Sequence, residues 1–237
     1  FYKLLKTLPK LPTTTAPKPE SWLTAFVNAS RGADNIFCVT LGSNLSGSYD
    51  SAVQAKKIFA QKHPKVPVTI FDSQVAAGSQ ALLVLECARM AARGLSLGEI
   101  KKKAEYIVGN VRLLAFLDTL EFVHRSGRVP KIGLWVTSLL NIKPIMEFSP
   151  GRIGVFARPR SRKRALKRII SEAMKDLKGK VSHVNIMHSD SRAEALELWE
   201  VIGRNLICEE LFISQFPPFM GVHTGPGLVG ISYWVEE

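Results

Sequence analysis

Three short segments rich in hydroxyls and small residues are the parts of this sequence best equipped for chemistry. They are Thr13-Thr14-Thr15, Gly42-Ser43-Asn44-Leu45-Ser46-Gly47-Ser48 and Gly221-Val222-His223-Thr224-Gly225-Pro226-Gly227. The second follows a continuous apolar run, Asn35–Leu41, and precedes Tyr49, Ala52, Val53, Phe59 and Ala60 at helical spacing. A strand-to-helix turn of that kind offers free amides and hydroxyls at a helix N-terminus, which suits a carboxylate or phosphate held without a full counter-charge. The plainer alternative is that Ser46 or Ser48 only caps the helix. His223 stands among small residues, where a backbone can approach a ligand closely; the alternative is a turn histidine.

Other chemistries find less support. Ser46, His223 and Asp72 are the residues available to a Ser–His–Asp hydrolase, but the G-x-S-x-G elbow is absent because Asn44 stands two positions before Ser46. No acidic residue flanks His223 in sequence. The phosphate-loop pattern G-x-x-x-x-G-K-S/T, the dinucleotide pattern G-x-G-x-x-G and C-x-x-C are all missing. His183 and His188, five apart on a predicted strand, face opposite sides and do not share one metal. They read as structural or surface residues, as do His63 and His124, and no metal or cofactor is expected.

Charge is unevenly spread. The net charge is +12, yet Phe148–Ser171 carries eight basic residues and no acid, and without them +4 remains. Such a patch suits an anionic partner (phosphate, nucleic acid, an anionic membrane or an acidic protein face) or is simply a solvated helix face. Arg158, Arg160 and Arg162 lie two apart and would share one face in extended structure, a candidate docking surface for a protein partner or membrane. A nucleic-acid-binding regulator using residues 152–168 is the rival from another class. Phe156 is the sole aromatic there, too little for a base-stacking platform, so no nucleic acid is expected.

These segments need a scaffold. At 237 residues, 46% hydrophobic and 22% charged, the composition is that of a globular protein of one large or two small domains. No uncharged apolar run reaches membrane-spanning length: Ala81–Ala92 is broken by Glu86 and Arg89. Phe1–Lys10 does not read as a secretory signal. Cys38, Cys87 and Cys208 each sit in apolar runs and read as reduced, buried residues of a cytoplasmic protein. Strands are expected at Asn35–Leu41 and Val66–Phe71. Helices are expected from Pro19 to about Ala29, after Ser48, and at Ser79–Arg93, which Gly94 stops. Near-continuous apolar strands alternating with helices predict a parallel α/β domain, residues 1–107. With two strands it looks short of one, so the chain is expected to be a fragment or to have its first strand before Phe1.

From residue 108 to 237 the pattern changes. Strand-like runs occupy Arg112–Thr119, Ile142–Phe148, Arg152–Arg158, Val181–His188, Glu210–Phe216 and Leu228–Val235. Ser149-Pro150-Gly151 signals a hairpin, and helices are expected at Ser161–Lys178 and Ser191–Asn205. This predicts an α+β domain on a mostly antiparallel six-stranded sheet.

Taken together, the loops resemble the DegV family, fatty-acid-binding proteins that serve as the carrier subunit of bacterial fatty acid kinase. Pro12–Pro17 is similar to the family's P-T-T/S-S-x-P-S, and Leu45–Ala52 to L-S-G-T-Y-x-S-A. Asp72-Ser73, with Gly78 following, is similar to its D-S turn. Arg125-Ser126-Gly127-Arg128-Val129 is similar to R-G-G-R-I, Leu140-Asn141-Ile142-Lys143-Pro144-Ile145 to L-N-I-K-P-I, and His223–Gly227 to H-x-G-P-G. The family's opening strand with T-D-S-T-x-D-L is lacking. Its signature serines are Thr15 and Lys18 here, the latter expected to face solvent.

The resemblance implies a two-domain α/β protein holding a long-chain fatty acid between its domains. It implies that Thr14 and Ser46 hydrogen-bond the carboxylate, that the Gly47 amide adds a donor and that His223 closes the head-group site. Thr15, Asn44, Ser73 and Gly225 belong to secondary head-group loops. The acyl chain would run past Phe116, Leu117, Leu139, Leu140, Ile142, Ile145 and Met220. A separate kinase would phosphorylate the carboxylate with its own ATP, making this chain a carrier and not an enzyme.

Overall fold

A computed structural model describes residues 1–5, 7–128, 142–149 and 152–236. Its contacts divide the chain into two compact units that interleave in sequence. One comprises Phe1–Thr14, Ala77–Leu82 and Gly109–Glu237; the other comprises Thr15–Ala76 and Leu83–Val108. The sequence reading draws a single boundary at 107/108. The interleaving arises because the first residues and the start of one helix pack with the later sheet.

A short N-terminal helix, α1 (Tyr2–Leu5), belongs to the larger unit and precedes the smaller one. In chain order the elements of the smaller unit are α2 (Pro19–Ala29), β1 (Ile36–Thr40), α3 (Ser48–Lys62), β2 (Val68–Asp72), most of α4 (Ala77–Ala92) and most of α5 (Leu97–Asn110). β1 and β2 pair in parallel from Ile36↔Val68 to Thr40↔Asp72. Phe26 and Phe59 meet edge to face, with ring centroids 6.0 Å apart. They pack with Ile36, Val68, Ala52 and Ala55, whose small alanines let α2 approach α3. Pro19 occupies the first turn of α2, where its missing N–H costs nothing. The sequence reading assigns no element to Leu97–Asn110. Its helix buries Ile100, Ala104, Ile107 and Val108 at helical spacing behind a run of three lysines, and Ser96 with Glu99 closes a capping box at its start.

The larger unit holds α1 (Tyr2–Leu5), β3 (Arg112–Phe116), α6 (Glu121–Ser126), β4 (Ile145–Ser149) and β5 (Arg152–Ala157). They are followed by α7 (Arg162–Leu177), β6 (Val181–His188), α8 (Arg192–Asn205), β7 (Ile207–Gln215), α9 (Pro218–Thr224) and β8 (Val229–Val235). The sheet order is β5-β4-β3-β8-β6-β7, antiparallel throughout except for β6 and β7. The mixed α/β fold expected from sequence is therefore present, with a small parallel sheet and a six-stranded, mostly antiparallel one.

Edges of elements differ from expectation for local reasons. β4 starts at Ile145 because Pro144 has no N–H to give the ladder. β3 ends at Phe116, since Asp118 turns to Arg162 and Lys143. β7 starts three residues early, at Ile207, paired in parallel with Val181. The expected polar loop Gly221–Gly227 is helical through Thr224. Among the described residues, no helix is long and apolar enough to cross a membrane.

Alternation along the strands sorts the core into two layers. Leu114, Phe116, Ile145, Val184, Ile186, Val229 and Ile231 pack under α7 and α8 and are almost fully buried. Leu113, Ala115, Leu117, Met146 and Met187 point the other way, toward Leu120 and Val123 near α6. On that second face Phe148, Ile153, Val155 and Met220 are only partly buried.

Candidate functional site

His223 is placed by a tightly fixed corner of the larger unit. α9 carries it in its last turn and ends at Gly225, whose φ of 73° is one that glycine tolerates best. A Cβ at Gly225 would also collide with the Phe122 ring of α6. Below the loop lies Ser189, just past β6. Its hydroxyl donates to the Gly225 carbonyl at 2.6 Å and accepts from the Leu228 amide at 3.1 Å. Its own carbonyl accepts from the Gly227 amide at 2.7 Å.

Thr14, from the N-terminal segment of the same unit, lies with its Oγ1 2.8 Å from His223 Nε2. Nδ1 of His223 is shielded from solvent and has no hydrogen-bond partner among the described residues. Burial, and next the positive charge of Arg128, push the imidazole below its ordinary pKa. The ring is therefore neutral at neutral pH. If Nε2 carries its proton, it donates to Thr14 and leaves the Thr14 hydroxyl hydrogen free for an incoming anion. The pair borders a cleft of about 390 Å³, lined also by Lys10, Thr13, Phe122, Arg125, Ser126 and Arg128. A neutral clamp beside cationic walls suits an anionic head group.

The Ser46 loop belongs to the smaller unit and is braced independently. Asp72, at the end of β2, accepts from the Ser43 amide at 3.0 Å, the Ser43 hydroxyl at 2.6 Å and the Gln74 amide at 3.0 Å. Gly42 donates to the Val75 carbonyl at 3.0 Å. Ser46 Oγ accepts from the Ser48 amide at 3.2 Å and lies 2.8 Å from Ser48 Oγ. Ser46 thus turns back onto the start of α3, yet the residue stays half-buried and Gly47 beside it is exposed. Asn44 and, on the preceding segment, Thr15 are exposed. Asp72 is thus held by its own loop, as His223 is by Thr14.

Several expected site residues serve other purposes. Ser73 is fully buried, and its hydroxyl closes a turn with the carbonyl and amide of Val75, so it is a brace and not a head-group donor. Gly225 has its amide donating to Gly221 and its carbonyl accepting from Ser189, which leaves it a positioning role. Phe116 and Ile145 are sealed in the layer under α7 and α8, because alternation turns them away from Leu117. Leu117 and Met220 do share the second layer, and Ile142 is half-buried nearby in sequence. Leu139 and Leu140 lie outside the described residues.

Arg162 is the clearest correction. It stands at the first position of α7 and turns inward. Its guanidinium pairs with Asp118 at 2.7 Å and Glu194 at 2.5 Å, donates to the Gly227 carbonyl at 2.8 Å and lies 4.9 Å from the Phe116 ring centre. Burial pushes Asp118 up, but hydrogen bonds from Arg162 and Lys143 outweigh it and hold the carboxyl below its ordinary range. Arg162 is therefore a brace of the His223 loop, whereas Arg158 and Arg160 remain exposed. The extended spacing that would align all three ends when the helix starts at Arg162.

Sequence reasoning missed Ser189, Phe122 and the apolar trio Phe148, Ile153 and Val155. The alternation of Ile153 and Val155 on β5 was the signal available for the last two; Ser189 carried none.

The architecture is a two-unit α/β fold with a cationic corner around His223. The DegV family model matches residues 1–236, and the chain belongs to this family. Protein DegV of Bacillus subtilis is 28% identical over 235 residues, covering 98% of this chain and 82% of that protein. A DegV domain-containing protein of Clostridium acetobutylicum is 28% identical over 228 residues, 96% of this chain and 80% of that one. Among solved structures, a DegV family protein from Thermus thermophilus, described as binding fatty acid, superposes with a TM-score of 0.89 at 26% identity over 99% of this chain and 83% of that chain. A stearic-acid-binding protein from Eubacterium ventriosum shares the fold, with a TM-score of 0.87 at 24% identity over 99% and 82% of the two chains. Fatty acid binding is thus a property of DegV proteins of known structure.

Proposed function

We propose that this chain is a cytoplasmic carrier that binds a long-chain fatty acid and presents its carboxylate to a separate, ATP-using fatty acid kinase. The Thr14–His223 pair, 2.8 Å apart on a cationic cleft, is the observation that carries the reading. In this reading Thr14 and His223 hold the carboxylate. The acyl chain runs along the half-open face formed by Phe148, Ile153, Val155 and Met220, over the buried Leu117. A chain of ~16 carbons at ~0.8 kcal/mol per methylene gives a gross burial term of roughly 12 kcal/mol before ordering costs, so the tail supplies affinity and the hydroxyls supply orientation. The relatives that bind fatty acids support the same choice.

Native mass spectrometry of the purified chain tests the carrier reading. The expected result is a retained fatty acid, lost or strongly depleted in the Thr14→Val, His223→Ala double variant while thermal stability changes little. An unliganded wild-type protein that also fails to take up added palmitate would overturn it. Exposed Arg158 and Arg160 are the proposed contact for the kinase. Reversing both to Glu is expected to slow acyl phosphate formation without altering palmitate affinity; an undiminished rate removes that contact.

A further inference from the structure

The six-stranded sheet ends differently at its two edges. β5, at one end, is short and has arginines at its first position and just past its last, Arg152 and Arg158. Shortness and charge protect such an edge from pairing with another chain. β7, at the other end, runs nine residues from Ile207 to Gln215 and contains no lysine, arginine or proline. Among the described residues no strand pairs with its outer side. The Phe216 amide donates to the His188 carbonyl at 2.8 Å, and the Phe212 carbonyl faces the same way, accepting from Asn185 Nδ2 at 3.4 Å. By alternation Leu211, Ile213 and Gln215 turn their amides and carbonyls to the open side. Helix α8 supplies a wall beside that edge. Glu194 reaches across to Arg162 of α7, so the opposite flank of α8 looks out over β7. Gly203 lies on that flank, where a Cβ would stand 3.1 Å from Leu211. Leu196 and Trp199 precede it at helical spacing and are 39% and 40% exposed. Arg192 continues the stripe and is exposed. From Gly203 back to Trp199 is about 6 Å along the helix, and from Leu211 on to Ile213 is about 7 Å along the strand. Trp199 therefore stands level with Ile213, and the same rises bring Arg192 near the level of Gln215.

We propose that the β7 edge and the outer flank of α8 form a dimer interface, occupied by a second copy of this chain related by a twofold axis at Phe212. A strand edge with open backbone groups is completed by another strand. Antiparallel pairing about this axis sets Leu211 opposite Ile213, Glu209 opposite Gln215 and Glu210 opposite Ser214 of the second copy, so that acids face neutral residues and not each other. Charge is complementary at both ends: exposed Arg192, beside Gln215, comes alongside exposed Glu209 of the second copy, and the symmetry makes this contact twice. Shape is complementary between them, because the same axis lays Trp199 against Gly203 of the second copy, a large ring onto a bare backbone. Shifting the axis to Ile213 would set Trp199 against its own copy. One register thus meets the backbone, charge and shape requirements together and joins two six-stranded sheets into one. The inference stands apart from the carrier reading.

Sedimentation equilibrium of the full chain, with hydrogen exchange on the same samples, tests the interface. Half-dimerisation is expected on the order of 10 μM, with the Leu211 and Ile213 amides exchanging more slowly as concentration rises. Trp199→Glu is expected to weaken dimerisation at least about tenfold while the thermal melt of the single chain stays in place, since the ring is exposed there. Leu196→Lys is read in the same way should Trp199→Glu melt early. Arg192→Glu is expected to weaken the dimer about tenfold by setting acid against acid, and Arg192→Glu with Glu209→Arg to restore it. A wild-type chain still monomeric at about ten times that concentration overturns the second copy as occupant and leaves the edge to a strand of another protein. A dimer indifferent to both Trp199→Glu and Leu196→Lys lies elsewhere and overturns the proposal. An Arg192→Glu dimer as tight as wild type, or a charge swap that fails to restore it, overturns the twofold register at Phe212.

Discussion

The two faces of the six-stranded sheet are built from the same strands and do different work. On one, Leu114, Phe116, Ile145, Val229 and Ile231 are closed off by α7 and α8. On the other, Leu113, Leu117 and Met146 are buried, but Phe148, Ile153, Val155 and Met220 keep part of their apolar surface accessible. A single residue step at the end of β3, from Phe116 to Leu117, moves a side chain from one face to the other. Apolar character alone therefore does not mark a residue as lining a ligand; its parity on the strand does.

The sharpest way to break this contrast is Phe116→Ala. It leaves a cavity in the closed layer, and the expected loss is ~3–5 kcal/mol of unfolding free energy in urea, with the palmitate affinity of the folded fraction unchanged. A loss of affinity larger than the loss of stability would place Phe116 in the acyl path after all. Ile153→Ala and Val155→Ala together, on the half-open face, are expected to cost less stability, about 1–2 kcal/mol in all, and to weaken palmitate binding about tenfold. If affinity is unmoved, the acyl chain does not lie on this face.

The smallest expected effect is on pH dependence. His223 and His188 both have pKa values pushed below the ordinary imidazole value, in each case first by burial and then by a nearby arginine, Arg128 or Arg192. The native state therefore resists protonation more than the unfolded chain does. Their contribution is complete above about pH 6.5 and is lost as pH falls toward and through the lowered native values. Urea melts from neutral pH down to about pH 5 should show stability declining, and His223→Asn should flatten part of that slope; an unchanged slope would show that His223 protonates as easily folded as unfolded.

How far the sequence alone reached varies by region for physical reasons. The strands and long helices of the larger unit followed from hydrophobic period, with errors confined to ends set by Pro144, Asp118 and the Val181↔Ile207 pairing. Helix α5 escaped because its apolar positions are interrupted by three lysines and two glycines. Thr14 and His223 lie 209 positions apart and meet at hydrogen-bonding distance, which no local pattern announces; the family resemblance carried that expectation. Arg162 went the other way: spacing made it look exposed, but Asp118 just past β3, Glu194 on α8 and the Gly227 carbonyl of the His223 loop drew it inward.

The place of β8 in the sheet has a consequence for synthesis. It sits at the centre, bonded to β3 on one side and β6 on the other, although it follows both in sequence. As the chain emerges from the ribosome, β5-β4-β3 and β6-β7 remain two partial sheets with facing raw edges until this strand arrives to join them. That interval is when the nascent protein is most open to wrong pairing and has most use for a chaperone.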